Sequence, residues 1–141
     1  MQTTSALLLI LLFSGISLLH FYWALGGRWA TKAVLPELPD RQATFKPGVA
    51  ATLLVAAGLA AMALLVAAGQ GWIGIRFLTP DKARYGYIAL MLVFGLRAIG
   101  DFRYVGLFKR VRNTTFARND NRYYTPLCIL LVLLLLLLTF Q

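Results

Sequence analysis

The sequence predicts an all-α integral membrane protein, a four-helix bundle forming one transmembrane domain over residues 1–141. Two observations predict it. Apolar runs stand at about 6–25, 48–69, 85–108 and 125–140, and charge is scarce outside the gaps between them. Charged residues make up 13% of the chain against 60% hydrophobic, whereas a soluble domain carries about a quarter charged. A bilayer accounts for the deficit, since lipid-facing surface needs no charge.

The first run, about 6–25, holds roughly 20 residues, enough to cross a hydrocarbon core of about 30 Å. A cleaved signal peptide is the rival reading. The stretch before the run lacks Lys and Arg, and its second half carries His20, Tyr22 and Trp23, which do not suit such a peptide. A retained helix is therefore expected. The second run, 48–69, is rich in Ala and Gly, and pairs such as Ala57 with Ala61 and Ala63 with Ala67 allow another backbone to approach closely. Pro47 fits its first position, where a missing N–H costs no intrahelical bond.

The third run is apolar from Tyr85 to Leu96, then meets Arg97, Asp101 and Arg103 while Ala98, Ile99, Phe102, Val105, Leu107 and Phe108 continue the helical pattern. The fourth run, 125–140, is nearly all leucine. Thr125 before Pro126 reads as a hydroxyl cap and a first-turn proline, with a start one turn earlier at Tyr123 as the alternative.

Basic residues set the expected topology. Arg28, Lys32, Arg41 and Lys46 lie in the first gap, and Arg103, Lys109, Arg110, Arg112, Arg118 and Arg122 in the third. The middle gap holds Arg76, Lys82 and Arg84, and the chain ends hold none. The positive-inside rule then places the first and third loops in the cytoplasm and both termini outside. The formal net charge of +9 is read the same way, as flanking charge meeting anionic head groups, and no nucleic-acid partner is expected. On this topology the Asn113-Thr114-Thr115 triplet lies on the wrong side for glycosylation.

Most of the notable polar residues converge on that cytoplasmic face. His20 and Trp23 come from the first segment, with Tyr22 and Arg28 beside them. Arg97, Asp101 and Arg103 come from the third, and Asp120, Tyr123 and Tyr124 precede the fourth. Arg97 and Asp101 are four apart, one turn along a single helical face. They form either a site facing the bundle interior or a structural ion pair near the interface, where Arg97 reaches water along its own stem. His20 would act as a base only with Asp101 or Asp120 in reach; the alternative is an interfacial histidine bonded to a backbone carbonyl. Trp23, Trp29, Tyr22, Tyr123 and Tyr124 fit an aromatic belt. Asp120 sits in the turn-forming run Asn119-Asp120-Asn121, and Lys109-Arg110-Val111-Arg112 reads as an anionic-lipid anchor.

The lone cysteine, Cys128, excludes an internal disulfide and a cysteine metal cluster. The sequence shows no Gly-rich phosphate loop, no nucleophile elbow and no paired-histidine motif, so neither cofactor nor metal is expected.

Several motifs in order resemble a known family. They are His20-Phe21-Tyr22-Trp23-Ala24-Leu25-Gly26-Gly27-Arg28-Trp29, then Leu96-Arg97-Ala98-Ile99-Gly100-Asp101-Phe102-Arg103 with Val105-Gly106-Leu107-Phe108-Lys109. Phe116-Ala117-Arg118-Asn119-Asp120 and Tyr123-Tyr124-Thr125-Pro126-Leu127-Cys128 follow. The chain resembles the bacterial small membrane-protein family catalogued as domain of unknown function 3995. That resemblance implies a four-helix protein of the bacterial inner membrane and brings no activity; a serine is common in the family where Thr125 stands. The leading expectation is a cytoplasmic-face pocket binding an amphipathic or lipid-like molecule, with Arg97 on its anionic head and Asp101 orienting Arg97. The rivals are an accessory subunit packed against a membrane protein partner, and a small homo-oligomeric transporter.

Overall fold

The computed structural model describes residues 2–34 and 47–140. Arg41 and Lys46 of the first gap lie outside these residues. The elements, in chain order, are α1 (Gln2–Ala24), α2 (Thr31–Val34), α3 (Val49–Gly69), α4 (Pro80–Ile99) and α5 (Thr115–Asn119). A π-helical turn (Asp120–Tyr124) and α6 (Thr125–Thr139) follow. The last three run on without a break, so the chain presents four long helices and no strand among the described residues.

Three of these are long and apolar enough to cross a membrane: α1, α3 and the continuous helix Thr115–Thr139. At 1.5 Å per residue each spans more than about 30 Å. With 20 residues, α4 is about as long, but it carries Asp81, Lys82 and Arg84 near its start and Arg97 in its last turn. Its start is well specified. Thr79 caps it, accepting a hydrogen bond from the Lys82 N–H at 3.4 Å, and Pro80 occupies the first turn, where proline suits the helix.

Packing follows the helical period. Buried positions recur three or four apart, at Ala6, Leu9 and Phe13 in α1, Leu59, Ala63 and Val66 in α3, Ala83, Tyr87 and Leu90 in α4, and Leu131, Leu135 and Leu138 in α6. Each stripe is one face of its helix. Helix α1 packs along α3 and α4 along α6, with further contacts from α1 to α6 and from α3 to α4. Stacked rings of Phe13 and Phe94, 5.7 Å apart, tie α1 to α4. The Ser17 hydroxyl donates to the Ala56 carbonyl at 2.8 Å and fixes α1 against α3. The opposite faces leave Leu11, Leu18, Leu54, Leu92, Leu96 and Leu133 more than half exposed, an apolar extent that marks contact with lipid or with another protein.

Three local expectations are corrected. Helix α4 ends at Ile99 instead of running to 108, because Gly100 turns the chain at φ 93°, a left-handed region that glycine enters freely. Pro47 precedes the Gly48 cap of α3 and is not its first helical residue. The last helix starts at Thr115, ten residues before Thr125, and Thr125 caps nothing. The cap is Thr114, whose hydroxyl accepts from the Ala117 N–H at 3.1 Å. The triplet with the pattern of a glycan acceptor is thus a helix start. Pro126 lies inside the helix and bears on the π turn before it. A proline has no N–H for the carbonyl four residues back and its ring crowds that group. Widening the preceding turn relieves the crowding, and the Thr125 N–H reaches back to the Asp120 carbonyl, five residues away.

Candidate functional site

The centre of the polar site is Asp120, wholly buried at the start of the π turn. Its Oδ1 accepts from Arg97 Nη2 at 2.9 Å, and its Oδ2 accepts from Lys109 Nζ and from the Gly106 N–H, both at 2.8 Å. Lys109 Nζ also donates to the Gly106 carbonyl at 2.8 Å and to Asn121 Oδ1. The lysine side chain is 1% exposed, the arginine 33%. A buried carboxylate is tolerable because it is paired and hydrogen-bonded on both oxygens. Two cations meet one anion here, which leaves one positive charge in excess, on the partly exposed arginine.

Two polar atoms of this cluster are shielded from solvent and have no hydrogen-bond partner among the described residues: Arg97 Nη1 and Thr125 Oγ1. Both belong to residues bonded to Asp120, Arg97 through its other nitrogen and Thr125 through its backbone N–H. Buried groups of this kind ordinarily find a partner, so each of the two atoms retains capacity for a further hydrogen bond.

The expected Arg97–Asp101 pair is not formed. With α4 ended at Ile99, Asp101 leaves the helical face and organises the turn that follows. Its Oδ1 accepts from the backbone N–H groups of Arg103, Tyr104 and Val105 at 2.9, 2.7 and 2.9 Å. Partial burial alone would raise its carboxyl, but the Val105, Arg103 and Tyr104 amides outweigh that and hold it below the ordinary 3.8. The turn places Phe102 at φ 61°, a conformation that costs a non-glycine residue about 1–2 kcal/mol. Gly100 and Gly106, at φ 93° and 86°, cross so closely that a Cβ on Gly106 would stand 2.5 Å from the Gly100 Cα and the Ile99 carbonyl oxygen. The chain then returns beside α4: the Leu107 N–H bonds the Ala98 carbonyl at 2.9 Å and the Phe108 N–H the Ile99 carbonyl at 3.5 Å.

The other expected site residues lie around this core. His20 bonds through Nδ1 to the Ile16 carbonyl of its own helix at 2.8 Å and meets the Trp23 ring edge-on at 4.9 Å. No hydrogen bond joins it to Asp101 or Asp120 among the described residues. Trp23 Nε1 donates to the Trp29 carbonyl at 2.7 Å. Arg103 is exposed, its guanidinium 5.1 Å from the Tyr104 ring centre. Tyr123 is exposed beside Arg122 at 5.3 Å. Tyr124 donates to the Ala33 carbonyl at 3.0 Å and Asn119 Nδ2 donates to the same oxygen at 3.3 Å, so together they pin α2 to the last helix.

Sequence reasoning missed Lys109, Gly106 and Thr125 as members of the cluster. The sequence groups Lys109 with its basic neighbours, yet it is buried and partnered, while Arg110 and Arg112 are exposed. The legible signal was the glycine pair six apart with a lysine three residues on, a spacing suited to a tight turn tied inwards. No cluster of three or more metal-ligating side chains occurs among the described residues.

The family model described as a protein of unknown function (DUF3995) matches residues 13–135. No curated protein and no solved structure matches the chain. The matched span takes in the whole charged cluster, the crossed glycines and the π turn, and by that match the chain belongs to the DUF3995 family.

Proposed function

We propose that the chain is a four-helix integral membrane bundle of a bacterial inner membrane that holds an anionic amphiphile at its cytoplasmic end through Arg97. The carrying observation is the divided guanidinium: Nη2 is fixed on Asp120 while Nη1 is buried and unpartnered. An arginine so oriented is a preorganised donor for a phosphate or carboxylate. The excess positive charge of the cluster favours an anion, and the Thr125 hydroxyl offers a second polar contact. The leucine-rich helix faces beside it suit an acyl tail. Asp120, in place of Asp101, is the residue that orients Arg97.

Native mass spectrometry of the detergent-purified protein tests this reading. Wild type and Asp101→Asn should both carry a discrete small molecule, and Arg97→Gln should lose it while keeping its thermal stability within a few degrees. The same bulk phospholipid on all three would overturn it.

A second reading, an accessory subunit, is favoured by a different feature. An open groove of about 410 Å³ runs between α1 and α3, lined by Ser14, Ser17 and Phe21 on one side and Ala60, Ala63 and Ala67 on the other. Ile10, Leu18 and Leu64 also line it, and the serines and alanines among these residues would let a foreign helix approach closely along that strip. An accessory subunit would co-purify with a larger membrane protein and would tolerate Arg97→Gln without losing that partner.

A further inference from the structure

Residues 100–108 join two long helices, and a solvent loop in that place would leave most of its amides to water. This one does not. Six consecutive N–H groups, 103 to 108, all have partners within the protein. Three go to Asp101, that of Gly106 goes to buried Asp120, and those of Leu107 and Phe108 go to the Ala98 and Ile99 carbonyls. The last two bonds set Leu107 and Phe108 level with the final turn of α4, beside the exposed Leu96 and Ile99. The chain therefore turns back along the helix instead of extending beyond it.

The side chains agree with the backbone. Phe102, Leu107 and Phe108 are each more than half exposed, and the two phenyl rings lie 6.3 Å apart. The Arg110 and Val111 N–H groups bond the Arg103 carbonyl at 3.2 and 2.9 Å. That contact brings the exposed Arg103 and Arg110 together at the base of the turn. Lys109 is drawn inwards, so its charge does not sit among the exposed rings. Lipid-exposed irregular backbone does not occur in the hydrocarbon core, so a turn with its amides satisfied within the protein suits the interfacial layer above that core. Aromatic and arginine side chains together suit the head-group layer.

We propose that residues 100–108 form a re-entrant turn seated in the interfacial layer of an anionic bilayer, with Phe102, Leu107 and Phe108 in the acyl boundary and Arg103 and Arg110 on lipid phosphates. The inference rests on the membrane reading of the helices and is independent of any amphiphile at Arg97.

The unmodified protein, reconstituted in vesicles of neutral phosphatidylcholine with or without a quarter phosphatidylglycerol, is photolysed with a carbene probe confined to the bilayer. Tryptic peptides are then read by mass spectrometry. Cleavage after Arg97, Arg103 and Lys109 isolates Phe102 in one peptide and Leu107 with Phe108 in the next. Both peptides should carry label, and the yield should rise at least twofold with the anionic lipid. The leucine-rich peptide after Arg122 is the internal standard. Label on that peptide but none on 98–109 would overturn the re-entrant turn, and so would label indifferent to anionic lipid. An unlabelled leucine-rich peptide would instead overturn the membrane reading itself.

Discussion

Lys109 and Asp120 are both almost wholly removed from solvent, and each is the other's ion-pair partner at 2.8 Å. Removing one charge strands its partner in a low-dielectric site, a loss of about 3–5 kcal/mol for buried pairs. Thermal unfolding in detergent should therefore show Asp120→Leu strongly destabilised. The paired change Lys109→Met with Asp120→Leu should recover part of the loss, since it removes the stranded lysine charge but leaves Arg97 Nη2 and the buried Gly106 N–H without their carboxylate. Asp101 behaves differently because it is exposed and bonded to amides alone. Its carboxyl is held below 3.8 in the folded chain, so its stabilising effect is present above that value and is lost as pH falls through the folded value. At neutral pH Asp101→Asn should melt below wild type, and the gap should close at pH values below the ordinary 3.8. A gap unchanged across that range would refute the assignment.

At the scale of the elements, the last helix is shaped by two threonines and a proline. Thr114 supplies the cap, Pro126 accompanies the wide turn, and buried Thr125 closes that turn through its N–H on the Asp120 carbonyl. Thr114→Ala should cost about 1 kcal/mol, the usual loss for an N-cap, measured by denaturation in mild detergent. The sequence showed the apolar runs clearly, because a period of 3.6 over twenty residues is a strong signal. It misplaced both ends around the charged cluster. A hydroxyl before a proline reads as a helix start, and here it sits ten residues inside one. An apolar pattern continuing past Gly100 reads as helix, and here Leu107 and Phe108 belong to a returning turn. The partnership of Arg97 with Asp120 joins residues 23 positions apart. Local spacing favoured Asp101, four residues away, and only the fold brings the distant carboxylate in.

For the molecule as a whole, the helices' ends define two faces of unequal charge. One end, with the α4–α5 connection, α5 and the residues after α1, carries Arg28, Arg103, Arg110, Arg112 and Arg118; the other carries Arg76, Lys82 and Arg84, and the described chain ends there hold no basic residue. On the proposed topology, in which the positive-inside rule sets the orientation, the first face would be cytoplasmic. A periplasm-dependent reporter such as alkaline phosphatase, fused after residue 140, should be active, and a fusion within 110–114 should be silent. The reverse pattern would invert the proposed topology.

The burial of Lys109 carries a consequence for how the protein is made. If the chain is inserted on the proposed topology before α4 meets the helix bearing Asp120, the lysine would be a free cation then and would count among the charges that retain the loop on one side. Once the helices pack, the same charge is cancelled by Asp120 and closed off from solvent. On that topology one residue would serve first as an address and then as a bolt. Reversing the loop's orientation afterwards would require breaking the ion pair as well as moving the arginines.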